Sequence, residues 1–294
     1  WKNVVSSIQF ERILSASGPF KGEVKRPSDE RPPVKVAWIQ CVGSRDSHNA
    51  NPWCSSVCCM YATKQAIIAK EHDKHIEPSI FYMEMRAFGK DFDKYVERAK
   101  NEYGVRYLRA MISAVKEEPE TGNLLMRYAN EEGKLIDESF DMVVLSIGIE
   151  PHKNAAEFPK TFGIETNPYL FAKTTPLRPV QTSRDGIFVT GTYQGPKDIP
   201  DTVMQGSAVA GEAMALLSEA RGTEAVHKEL QPEKDVENEK PRIGVFVCHC
   251  GTNIAATVNI DEVVAAAKKL PDVAFVTNTI YACAQDNQEM IKNV

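Results

Sequence analysis

Four of the seven cysteines in this 294-residue chain, Cys41, Cys54, Cys58 and Cys59, fall within one short stretch. They follow the apolar run at 34–40, which reads as a buried strand. In a nucleotide-binding βαβ unit, the turn after such a strand carries glycines so that a pyrophosphate can approach the backbone. Thiols occupy that turn here, which suggests a place that handles electrons rather than a dinucleotide. Thiolates brought together by a loop and a helix start can complete an iron–sulfur cubane. Zinc also accepts four thiolates, but structural zinc sites usually present two paired knuckles, and a distant cysteine plus Cys-x3-Cys-Cys is a different pattern. Dithiol chemistry and buried structural thiols stay open as alternatives. So does the question of whether Cys58 and Cys59 both ligate, because neighbouring side chains on a helix diverge.

A second set, Cys248, Cys250 and Cys283, lies at or after predicted strand ends. It could hold a metal, with His249 as a substitute ligand, or belong to a small structural domain with exposed thiols. A third feature is the segment from Gly191 to Thr202, placed between a short predicted strand at 186–191 and a small-residue helix at 203–218. A helix N-terminus offers free N–H groups to a cofactor's polar chain. Lys197 is the only cation in that loop and would stabilise a flavin that becomes anionic on reduction. A solvated lysine is the alternative.

The elements that position these residues read as α/β. After an irregular, polar stretch at 1–33 come strand 34–40, a helix at 58–70, a strand at 79–85 and a charged amphipathic helix at 91–102. Short strands follow, with a hairpin pairing 123–128 with 134–136 and a β-rich run at 140–147. That order is the order of a nucleotide-binding-type domain in two-dinucleotide flavoproteins. A polar linker covers 222–241, and a fresh strand at 243–247, a helix at 260–269 and a strand at 273–276 open a second, small α/β domain. Met204 and Met214 are expected in a core.

Composition narrows the function classes. With 43% hydrophobic and 26% charged residues and a formal charge of −5, there is no electrostatic case for nucleic acid or an anionic membrane. No apolar run approaches the roughly 20 residues that span a bilayer. Clustered cysteines, odd in number, do not look like a secreted disulfide framework, so a reducing, cytoplasmic setting is expected. Histidines 48, 72, 75, 152 and 227 show no spacing for a catalytic base, and no Gly-x-Gly-x-x-Gly follows a strand. The chain opens on Trp1 within patterned sequence and is expected to be a piece of a longer polypeptide, inactive by itself.

Long specific strings carry a resemblance. They are Phe10-Glu11-Arg12-Ile13-Leu14-Ser15-Ala16-Ser17-Gly18-Pro19, Arg26-Pro27-Ser28-Asp29 and Trp38-Ile39-Gln40-Cys41-Val42-Gly43-Ser44-Arg45-Asp46. Trp53-Cys54-Ser55-Ser56-Val57-Cys58-Cys59-Met60 and Gln194-Gly195-Pro196-Lys197-Asp198-Ile199-Pro200-Asp201 continue it. Together they resemble the A subunit of heterodisulfide reductase. The resemblance implies a partial thioredoxin reductase-like core of two dinucleotide domains, with residues 1–33 and 146–221 in the FAD domain and 34–145 in the nucleotide-binding-like domain. It implies a 4Fe–4S cluster on Cys41, Cys54, Cys58 and Cys59, ligated by both adjacent cysteines. It implies FAD contacts at Gly191, Thr192, Lys197, Asp198, Ile199 and Thr202, although a Gly-Asp is common in such proteins where Gly191-Thr192 stands here.

Residues 242–294, with Cys-His-Cys-Gly, resemble the start of the same family's N-terminal domain and suggest a tandem or fused copy. The implied role is electron transfer between FAD and the cluster, with flavin-based bifurcation as an option. The implied partners are other heterodisulfide reductase-type subunits, a hydrogenase or dehydrogenase donor and ferredoxin. The alternative function is a zinc- or thiol-stabilised docking module without redox activity.

Overall fold

The computed structural model describes residues 1–48, 51–225, 232–233, 235–250 and 252–294. They divide into two units, Trp1–Glu224 and Ala225–Val294. His227 and Gly251, and residues 226–231 and 234 of the expected linker, lie outside the described residues.

In the first unit, strand β1 (Val4–Ser6) runs straight into helix α1 (Ser7–Leu14). Ser6 starts that helix with a capping box: its hydroxyl accepts from the Gln9 N–H at 3.3 Å and its own N–H donates to Gln9 Oε1 at 2.8 Å. The N-terminal stretch is therefore not irregular throughout, as its composition had suggested. Three residues suffice for β1 because they pair in parallel with a strand far along the chain, β8 (Met142–Ile147).

Between them in sequence come β2 (Lys35–Val42), α2 (Cys58–His72), β3 (Glu77–Tyr82), α3 (Phe92–Asn101) and β4 (Arg106–Arg109). The parallel sheet has the order β1-β8-β2-β3-β4, so β2 is central and its far end is the natural place for chemistry. An antiparallel sheet of β5 (Ile112–Glu117), β6 (Leu124–Ala129) and β7 (Leu135–Phe140) completes the order of a nucleotide-binding-type α/β domain. The run at 140–147, read as one strand, is divided at Asp141. Phe140 closes the antiparallel sheet, and Met142 opens a strand of the parallel one. The Asp141 carboxylate accepts from the N–H groups of Val34 and Lys35, at 2.9 and 2.7 Å, and so fixes where β2 begins.

Alternation along β2 sends Val36 and Trp38 to one face and Ala37 and Ile39 to the other. The first face packs Phe10 of α1 edge-on to Trp38, at 5.2 Å between ring centroids, with Ala62 and Ala66 of α2. The Trp38 indole N–H donates to Gln65 at 3.2 Å, so the buried ring has its polar atom satisfied. The second face packs Phe81, Tyr128 and Phe140 beneath the antiparallel sheet. Losing a ring such as Trp38 from so tight a core costs about 3–5 kcal/mol.

Residues 148–224 are mostly irregular, with α4 (Phe158–Phe162) and α5 (Ile199–Leu216). The expected strand at 186–191 is absent: only Phe188 makes an isolated bridge, to Gln181. Helix α5 starts earlier than expected because Asp198 caps it, accepting from the Asp201 N–H at 2.9 Å, and Pro200 is tolerated in the first turn. Met204 and Met214 are exposed rather than in a core, since Gln205 is the only buried side chain of α5.

The second unit holds a parallel pair, β9 (Ile243–Cys248) and β10 (Val273–Thr279), with helices α6 (Thr252–Ala255), α7 (Ile260–Ala267) and α8 (Gln285–Asn293). Among the described residues no helix is long and apolar enough to cross a membrane.

Candidate functional site

The cysteine segment begins where β2 stops behaving as a regular strand. Its pairing with β8 skips from Ile39↔Leu145 to Val42↔Ile147, and Cys41 takes a left-handed conformation with φ +61°. A bulge of this kind re-aims a side chain at a strand end, here the thiol of Cys41. The chain then folds back through short backbone bonds, with the Ser44 N–H donating to Cys41 O at 3.0 Å and the Arg45 N–H donating to Trp53 O at 3.0 Å. The second bond delivers Cys54 to the same end of the sheet.

Three contacts hold that loop down. Ser44 and Ser55 share a hydroxyl hydrogen bond of 2.8 Å, and Ser55 also accepts from the Ile149 N–H at 2.7 Å. The Trp53 indole donates to Ile149 O at 3.1 Å, while its ring packs on Tyr169 and Phe171. Gly148 makes this approach feasible, because a Cβ there would stand 2.2 Å from both serine hydroxyls.

Cys58 and Cys59 open helix α2, where backbone N–H groups lack intrahelical partners. Both thiols are buried, whereas Cys41 and Cys54 are half-buried. The Cys58 thiol donates toward Ile147 O at 3.7 Å, the carbonyl that also accepts from the Tyr61 hydroxyl at 2.6 Å. Cys54 accepts from the Ser56 N–H at 3.3 Å and Cys59 from the Arg86 N–H at 3.4 Å. Burial pushes the Cys58 thiol up to about 11, with the neighbouring Cys59, Cys41 and Cys54 adding to the rise. Burial also raises Cys59 and Cys41, and the charge of Arg45 works against the rise at both.

The four thiols therefore share one electrostatic environment, on a bulge, a pinned loop and a helix start. Among the described residues no three His, Cys, Asp or Glu side chains stand close enough to grip a metal ion as they are. A tetrahedral zinc needs its sulfurs about 3.8 Å apart, whereas a cubane places its ligand sulfurs at the corners of a larger body. The donor types and the N–H···S bonds fit a group held by thiolates, an iron–sulfur cluster among them.

The 191–202 loop is built differently from the sequence reading. Lys197, half-buried, is engaged within the loop: its ammonium donates to Gly191 O at 2.8 Å, Gln194 Oε1 at 2.7 Å and Gly195 O at 2.9 Å. Gly191 needs its φ of +70°, and its N–H donates to Gln205 at 2.9 Å. Thr202 turns its hydroxyl back to Asp198 O at 2.8 Å, and Ile199 is exposed. Thr192 lines a cavity of about 390 Å³ with Ile149, Phe158 and Tyr193. Ile149 is a residue that sequence reasoning missed; no residue-type signal marks it, since its role lies in its backbone bonds to Trp53 and Ser55.

In the second unit, Cys248 ends β9 opposite Thr279, donates toward Ile280 O at 3.6 Å and accepts from the Ala282 N–H at 3.4 Å. Cys250, at φ +48°, and Cys283 are exposed.

Fold and site together define an α/β protein of the nucleotide-binding type with cysteines in the segment that follows its central parallel strand. No family model matches the chain. It is 45% identical over 221 residues to an iron–sulfur subunit of the CoB–CoM heterodisulfide reductase of Methanopyrus kandleri, the second of two A-type forms there, covering 74% of this chain and 34% of that protein. It is 42% identical over 224 residues to the A subunit of the H2/formate:CoB–CoM heterodisulfide,ferredoxin reductase of Methanococcus maripaludis, covering 75% and 34%. The chain is a relative of the heterodisulfide reductase A subunits and spans about a third of the length of these curated relatives. Among solved structures it matches LpdA of Mycobacterium tuberculosis at 13% identity and a TM-score of 0.38, over 68% of this chain and 37% of that one.

Proposed function

We propose that the chain is part of an electron-transfer subunit of a heterodisulfide reductase-type complex, with Cys41, Cys54, Cys58 and Cys59 holding a 4Fe–4S cluster. What supports this reading is that the bulge carrying Cys41 and the helix start carrying Cys58 and Cys59 follow the central parallel strand, where a nucleotide-binding unit would hold a pyrophosphate, with the Cys54 loop between them. When bound, such a cluster relays single electrons, and a flavin exchanges them in pairs.

The chain's own residues bind, orient and shield. The Ser44–Ser55 bond and the Trp53 indole hold Cys54 near Cys41, and the Ser56 and Arg86 N–H groups direct donors at sulfur. Residues 146–221 form the C-terminal part of a FAD domain, with the Gly191–Thr202 loop beside the flavin. Lys197 there holds the loop in shape rather than offering a free charge. Ile149 supports the flavin side of this reading, since it lines the cavity shared with Thr192 while bonding to both Trp53 and Ser55. The exposed apolar flank of α5 would then pack against the rest of that domain.

The relative from Methanococcus maripaludis is named for hydrogen or formate, a heterodisulfide and ferredoxin. By that likeness the partners are further reductase subunits, a hydrogenase or formate-oxidising donor and ferredoxin, in the cytoplasm, with bifurcation at the flavin.

The test is anaerobic cluster reconstitution of this chain, followed by a visible spectrum and iron, sulfide, zinc and flavin assays. Four irons per chain, about what one cubane holds, with colour lost in Cys41→Ala and retained in Cys248→Ala, supports the reading. Stoichiometric zinc without colour overturns it in favour of a docking module.

A further inference from the structure

We infer that Arg45 and Arg86, bridged by Glu84, are positioning residues that set how readily the group held by the four cysteines accepts an electron; this rests on the cluster reading above. One Glu84 carboxylate oxygen takes Arg45 Nη2 at 3.1 Å and Arg86 Nη2 at 3.1 Å. The three residues join two separate stretches, the turn after Cys41 and the segment after β3. Arg45 and Cys41 line one cavity at the end of β2. The Arg86 guanidinium pairs with Glu84, and its backbone N–H donates to the Cys59 sulfur at 3.4 Å, which places the residue beside that thiol. The Glu84 carbonyl in turn faces the Cys59 thiol at 4.0 Å.

The charge balance gives the direction. The triad itself, two guanidinium groups against one carboxylate, carries one net positive charge beside a half-buried site. Adding one electron there makes or breaks no bond and moves no proton, so the new negative charge meets that cation through a medium of lowered dielectric. The arginines favour the reduced form and Glu84 opposes it. Arg45 Nη1, which carries two N–H groups, is also buried with no hydrogen-bond partner among the described residues, an arrangement that costs stability unless an acceptor fills the space.

The experiment is a dithionite titration of the reconstituted chain, followed by visible bleaching and electron paramagnetic resonance, with iron and sulfide measured for every variant. Arg45→Gln and Arg86→Gln should each lower the reduced-to-oxidised ratio at fixed potential about tenfold, which is 59 mV for a one-electron couple. Glu84→Gln should shift it the opposite way, and Arg45→Lys should restore most of the wild-type value. A purely structural role predicts lost iron with unchanged midpoints. Equal midpoints in fully loaded variants overturn the inference while leaving the cluster reading intact. A wild-type chain that takes up no iron overturns both. Should Arg45→Gln fail to load, Glu84→Gln decides, because its carboxylate bonds to the two arginines rather than to a sulfur.

Discussion

Ser44 and Ser55 lie 2.8 Å apart across their hydroxyls, and that bond ties the turn leaving Cys41 to the loop carrying Cys54. Gly148 is the condition for it. Gly148→Ala would drive a methyl to within 2.2 Å of both oxygens and 3.2 Å of Ser55 Cβ, so that both hydroxyls would have to turn out of their shared bond. The expected cost is about 1–3 kcal/mol, read as a lowered midpoint in urea unfolding, together with reduced iron uptake. Ser55→Ala should reproduce the uptake defect by leaving the Ile149 N–H unpaired. Unaltered stability in Gly148→Ala would show that the loop has another way to close.

How much of this was legible beforehand depends on how local each signal is. The strand ending at the cysteines and the helix opening with Cys58 follow from an apolar run, a thiol cluster and good helix formers, all contiguous. The left-handed turn at Cys41 does not, because it arises from a skip in pairing between β2 and β8. For the same reason β1 was missed: three residues carry no period, and only β8 makes them a strand. The string at 186–191 misled in the opposite sense, since β-type residues found a single bridge and no ladder. Lys197 was legible as the loop's cation, but not as a donor whose three hydrogens are already used.

Burial of Cys58 gives a pH prediction for the iron-free chain. Its thiol is pushed from the ordinary value of 9.0 up to about 11, chiefly by desolvation, with Tyr61 opposing the shift. A raised folded pKa contributes stability that is fully present below pH 9 and is lost as pH climbs through 11. Wild type should therefore lose stability faster than Cys58→Ala across that window, by about 2 kcal/mol at the upper end. Guanidinium unfolding at pH 8 and pH 11 measures it, and parallel losses in the two proteins would refute the assignment.

Glu138 offers the mirror image in acid. Desolvation alone would raise its carboxyl. Hydrogen bonds from Arg106 at 2.8 and 3.3 Å and Tyr128 at 3.0 Å, with the charges of Arg106 and Lys35, hold it below the usual range instead. A depressed folded pKa gives stability that is present above the unfolded value of about 4.5 and lost as pH falls through the folded one. Because Glu138 of β7 reaches residues of β2, β4 and β6, it joins the antiparallel sheet to the parallel one. Glu138→Gln should cost about 2 kcal/mol at pH 7, and the gap from wild type should shrink as pH drops below 4. A gap independent of pH would mean that packing, not charge, links the sheets.

Lys197 separates two readings of the flavin loop. With its ammonium bonded to Gly191 O, Gln194 Oε1 and Gly195 O, it acts as an internal clamp. Lys197→Met would strip three acceptors of their donor and cost about 1–3 kcal/mol. Arginine should not rescue it, because a planar fork cannot point at three acceptors set around one nitrogen. Limited proteolysis of the flavin-free chain provides the readout: new cleavage within 191–198 in both variants, with the β2–α2 segment still protected. Protection equal to wild type would return Lys197 to the role of a charge held ready for an anionic cofactor, and its effect would then appear only once flavin is bound.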